Sequence, residues 1–161
     1  MKMTNFLLTL HIFGAIAGLG VTFAFPFVGA MARKPGAPVE WFLKLVGTLS
    51  DKWVTIFTAL VIPGTGAGLI ITSKGLWDPF ESRNRWLLTA LILYTIAFAF
   101  AELIQRKNGM KAVTMAEAKQ FGPEFGALMK KVAMGGQFLT VLLVTIIILM
   151  VTKPGSGYIH P

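Results

Sequence analysis

The chain has 161 residues, 55% of them hydrophobic and 14% charged, with a mean hydropathy of +0.69 and no cysteine. This composition is far from that of soluble domains and marks an integral membrane protein, here expected to form a single domain over 1–161. The absent thiols exclude disulfides, cysteine-ligated iron–sulfur clusters, thiolate zinc sites and covalent c-type haem. The net charge is +8, but the basic residues fall between the apolar runs and build no nucleic-acid motif. Anionic lipid headgroups are therefore their expected partners, and nucleic acid is not.

The first apolar run, residues 6–32, carries no charge and exceeds the ~20 residues that a helix needs to cross hydrocarbon. It is also longer than the ~7 to 15 residues of a signal-peptide core, so a retained span is expected. His11 is the only histidine inside an apolar run, and Gly14 and Gly18 follow it on the same helical face. An ionisable side chain at membrane depth marks a candidate functional site. Pro26 predicts a kink late in this span, and the string Arg33-Lys34-Pro35-Gly36-Ala37-Pro38 ends it.

Residues 39–50 mix Trp41, Phe42 and Leu43 with Glu40 and Lys44, which suits either an interfacial helix or an overhanging start of the next span. The second span is expected at about 53–73, with Trp53 and Trp77 at headgroup depth. Pro63 removes a backbone donor and is expected to free the carbonyl of Ala59. Gly64, Gly66, Ala67 and Gly68 then allow a neighbouring helix, or a flat cofactor, to come close. After a short polar connection with Gly75, Asp78 and Pro79 as turn residues, the third span is expected at about 86–105. Glu102 near its exit reads as a solvated or locally paired end residue, with a proton relay as the alternative. Thr114-Met115-Ala116-Glu117 has the form of a capping box and predicts a helix start there. A further helix is expected from about Pro123 into the last span at 132–152, where Gln137 is expected to bond another helix and Gly135-Gly136 to allow closeness.

Four spans place both termini on one side. The first and third connections, 33–52 and 106–131, carry ten basic residues and the other side five, so these loops are expected in the cytoplasm and both termini outside. His11 then lies only ~8 Å below the outer interface, at ~1.5 Å per residue. The fold class expected is all-α, a four-helix transmembrane bundle with short interfacial helices in the loops.

The plain reading of His11 is a neutral imidazole bonded to a threonine or carbonyl of a neighbouring helix. The functional readings are an axial ligand to haem iron in a b-type haem site with Gly14 and Gly18 beside the porphyrin, a copper ligand, or a proton carrier. Met150, at a comparable depth in the last span, His160 in the tail, or a partner's histidine are the candidates for a second axial ligand. No paired intramembrane carboxylates, Ser-His-Asp set or phosphate-cradling loop occurs, so no catalytic residue is assigned.

The first-span histidine with its glycine face and Pro26, the stretch GAGLIITSKGLW and the opening RWLLTALIL together resemble an uncharacterised bacterial four-span integral-membrane family. That family is distantly similar to copper-resistance protein D and to membrane-type protoporphyrinogen oxidase. The resemblance implies a bacterial inner-membrane location and His11 as haem ligand. The early third-span lysine of the oxidase-type proteins is replaced here, at the comparable position, by Ala90, which argues against that oxidation. The first expectation for function is a non-catalytic accessory subunit of a larger membrane complex, of electron-transfer or photosynthetic type, meeting other subunits or its own copies. The alternatives are a b-type haem protein and a copper-handling protein.

Overall fold

The computed structural model describes residues 3–25, 27, 31, 38–73 and 76–155. Four helices are long and apolar enough to cross a membrane: Met3–Ala24, Val39–Thr72, Ser82–Glu117 and Pro123–Thr152. There is no strand among the described residues, and the all-α four-helix architecture stands. Pro26, Arg33, Lys34 and His160 lie outside the described residues, so the kink expected at Pro26 does too.

The bundle is built of antiparallel neighbours. The first helix packs along the second, the third along the fourth, and all four meet where Leu19, Ile62 and Leu143 close on Ala15 and Tyr94. Outward, Leu60, Ile71, Val141 and Val151 are exposed, as lipid-facing side chains should be. Threonines inside the helices bond back to carbonyls four residues earlier, among them Thr9, Thr72, Thr95, Thr140 and Thr145, so their hydroxyls are satisfied without leaving the helix.

Two helices extend past the expected spans. The second begins at Val39, ahead of the span expected from about Trp53, and the third continues to Glu117, past the span expected to end near Gln105. Their 34 and 36 residues correspond to ~51 and ~54 Å, some 20 Å more than the ~30 Å of hydrocarbon. Counting ~30 Å from Thr72, Trp86 and Thr152 reaches Lys52, Arg106 and Lys131, which sets the second membrane border. The excess lies beyond that border on one side. There 39–50, 106–117 and the first turns of the fourth helix enclose Ala112, Met115 and Leu128 with Leu43, Phe125 and Met129. Residues 39–50 are thus an overhanging start, continuous with the second helix, and the three overhangs pack together as a three-helix projection.

Thr114 to Glu117 does not start a helix but ends one. Thr114 Oγ1 bonds the Met110 carbonyl at 3.2 Å within the same helix. The chain then stops at a left-handed Lys119 (φ 54°), with Lys119 N donating to Ala116 O at 3.0 Å and Gln120 N to Met115 O at 2.9 Å. These are the paired bonds of a Schellman stop, here with lysine where glycine is usual. The next helix starts at Pro123 as expected.

The helices are locally irregular, and neighbouring side chains meet the irregularities. The first tightens to a 3-10 turn at Gly20–Ala24. Such a change of pairing skips one carbonyl, and at that junction Trp53 Nε1 donates to Ala17 O at 2.8 Å. The second widens to a π turn at Phe57–Val61, just before Pro63, so that the Ile62 N–H bonds Phe57 O. Thr58 O would then look to residue 63, which as proline has no donor. The carbonyl of Thr58 is thus also left without a backbone donor, and the Tyr94 hydroxyl of the third helix donates to it.

Candidate functional site

His11 lies on the face of the first helix that meets the second, half-buried. Its Nδ1 is 2.9 Å from Thr65 Oγ1. The single Thr65 hydroxyl proton is already directed at Val61 O (2.5 Å), with Ile62 O at 3.2 Å, so Thr65 accepts from the ring. That places a proton on Nδ1. The imidazole bridges two helices, one turn beyond the irregularity at Phe57–Val61.

The glycines around it are in use. A Cβ on Gly66 would lie 3.3 Å from His11 Cε1, and one on Gly68 would lie 3.2 Å from Leu7 Cδ1, so these two let the first helix settle onto the second. Gly14 faces Val61, whose Cγ1 would be 2.8 Å from an added Cβ, and Gly18 is in direct opposition to Phe57. The structure therefore brings His11, Gly14 and Gly18 together on one face, and Val61 and Phe57 fill the shallow groove between them. A porphyrin has no cradle there, and these residues do not fit a haem. Met150 is half-buried near the end of the fourth helix, whereas the hydrogen bond to His11 comes from the second helix. Among the described residues no group of three His, Cys, Asp or Glu side chains is placed to hold a metal ion.

Sequence reasoning expected Gln137 to tie helices together, but Gln137 is exposed on the fourth helix. The tie is Gln105, whose Nε2 donates to Val132 O at 2.8 Å and whose amide sits directly over Gly135. Gly135 is buried for this reason, which is the closeness expected of that glycine. At the opposite membrane border, Asn84 was not singled out by any sequence signal. It is 1% exposed, and its Nδ2 donates to Leu76 O and Asp78 O, both at 2.9 Å, folding the second connection. Nearby, Lys153 ends the fourth helix at φ 43° and holds its ammonium 5.6 Å from the Trp77 ring centroid and 5.9 Å from that of Trp86.

The projection carries the polar chemistry. Lys44 bridges Glu40 (2.9 Å) and Glu117 (3.1 Å), and Lys111 pairs with Glu124 (2.9 Å). The bond from Lys111 holds the Glu124 carboxyl below the usual carboxylate range. At the membrane border Arg106 takes both Asp51 and Glu102, so Glu102 is locally paired. The tip of the projection holds an open cleft of about 550 Å³ lined by Pro38, Trp41, Lys44, Ala116, Lys119 and Phe121. Trp41 and Phe121 are 57% and 54% exposed, large apolar side chains on a part of the molecule that also carries its ion pairs.

No curated protein and no solved structure matches the chain. The family described as "Predicted integral membrane protein (DUF2269)" matches residues 5–154. With nearly its whole length matched, and with four membrane-crossing helices, the chain belongs to this family of integral membrane proteins.

Proposed function

We propose that the protein is a non-catalytic structural subunit of a larger membrane assembly, seated in the bacterial inner membrane with both termini outside and its helical projection in the cytoplasm. The observation that carries this reading is the tip of the projection, where Trp41 and Phe121 flank an open cleft ~17 Å beyond the hydrocarbon border. Exposed aromatic side chains grouped on a water-facing surface favour a protein contact. The interior supports the same reading, because His11, Trp53, Tyr94 and Gln105 all hold one helix to another. Electron-transfer and photosynthetic complexes are the assemblies we favour, since they gather small apolar subunits around redox centres held elsewhere.

The test is native electrophoresis of membranes solubilised in mild detergent, comparing the wild type with Trp41→Glu/Phe121→Glu. The wild type should migrate in a complex well above its 17.5 kDa, and the double variant should be released from it while remaining inserted and folded. Migration of the wild type as a lone subunit, or unchanged migration of the variant, would overturn the reading.

A further inference from the structure

The structure sorts the basic residues by what balances them. Lys44, Arg83, Arg106 and Lys111 have carboxylate partners, and Lys153 lies against two tryptophans. Lys52, Lys107, Lys130 and Lys131 are exposed and have no ion-pair partner among the described residues. These four lie at one depth. The Arg106–Asp51 pair sets Lys52 and Lys107 at one level, and the bond from Gln105 to Val132 O sets Lys131 and Lys130 within about one turn of that level. Both carboxylates at this level, Asp51 and Glu102, share Arg106 as their partner, so this group carries one surplus negative charge against the four lysines. Trp53, half-exposed beside Lys52, sits where indoles meet headgroups.

We propose that this ring of four lysines is a binding surface for anionic phospholipid, taking the phosphodiester headgroups of the leaflet on the projection side. Like charges from three helices at one level repel unless counter-charge is supplied, and the one surplus carboxylate charge among the described residues there leaves most of the lysine charge unbalanced. A leaflet containing phosphatidylglycerol supplies one negative charge per headgroup at that depth. The opposite border has no comparable ring among its described residues, with Arg85 as its one cation lacking a partner. This inference needs the protein to span the membrane but does not depend on the subunit role.

The experiment is native mass spectrometry of purified protein in mild detergent with equimolar phosphatidylglycerol and phosphatidylcholine. The variants are K52Q/K107Q/K130Q/K131Q, the four-arginine equivalent, and a control with Arg85→Gln and Lys119→Gln. Wild type, the arginine variant and the control should retain phosphatidylglycerol in preference. Each lysine removed should weaken retention about fivefold, the equivalent of ~1 kcal/mol per charge. Equal retention of both lipids, undiminished retention by the glutamine variant, or displacement by millimolar inorganic phosphate would overturn the proposal. Should the glutamine variant fail to fold, a salt titration of the wild type decides: retention must fall as ionic strength rises, and insensitivity to salt refutes it.

Discussion

Tyr94→Phe removes one hydroxyl and keeps the ring that packs against Leu19, Ile62 and Leu143. The loss falls on the Thr58 carbonyl, which the π turn and Pro63 together leave without a backbone donor. Interhelical hydrogen bonds in membranes average ~0.6 kcal/mol because a broken one usually finds another partner. Here Pro63 blocks that relief, so the cost should approach the ~1–3 kcal/mol of an unmet buried acceptor, and ~1.5 kcal/mol is expected. Pro63→Ala restores an N–H that can turn to Thr58, and in that background Tyr94→Phe should cost only ~0.5 kcal/mol, a coupling of ~1 kcal/mol. The assay is reversible unfolding in mixed sodium dodecyl sulfate and dodecylmaltoside micelles, followed by tryptophan fluorescence. A loss below ~0.3 kcal/mol for the single variant, or the same loss in both backgrounds, would refute the reasoning.

Glycine substitutions should separate by what each faces. Gly18→Ala drives a methyl into Phe57 near its backbone and should cost ~1–3 kcal/mol, whereas Gly64→Ala enters open space and should gain ~0.5–1 kcal/mol, both read in the same unfolding assay. Lys119→Gly relieves a left-handed lysine at the helix stop and should stabilise by ~0.5–1 kcal/mol. Glu124 has its carboxyl held below the ordinary range by Lys111, so this ion pair stabilises above the ordinary carboxylate range and is lost as pH falls through the lowered value. Lys111→Gln should return Glu124 to the ordinary range, as followed by carboxyl-carbon NMR titration; an unmoved midpoint would show that the pair does not form in solution.

The four apolar runs made the architecture legible, because a bilayer demands ~20 uncharged residues and little else satisfies that demand. Helix ends were less legible for the same reason. Hydropathy marks where hydrocarbon stops, while Glu40 with Lys44 and Glu102 with Arg106 carry the same helices onward through i,i+4 pairs. Thr114-Met115-Ala116-Glu117 reads as a start only if the chain before it is broken, and Gly109 alone does not break it. Periodicity could not choose between Gln105 and Gln137, since an apolar helix has no polar face to fix its rotation. At the site, His11 bonding to a threonine was one of the readings open in the sequence. The role of Gly14 and Gly18 was not, because whether a glycine groove admits a cofactor or a neighbour's Val61 and Phe57 depends on which helix lies against it.

The first helix is tied to the second by the His11 hydrogen bond, and nitrogen-15 NMR of the imidazole in lipid bilayers measures that bond directly. A neutral ring with the proton on Nδ1, lost from that nitrogen's hydrogen-bonded position in Thr65→Val, is the result the structure predicts. A ring protonated on Nε2, or one whose nitrogens carry the shift or broadening of a bound metal, would contradict it.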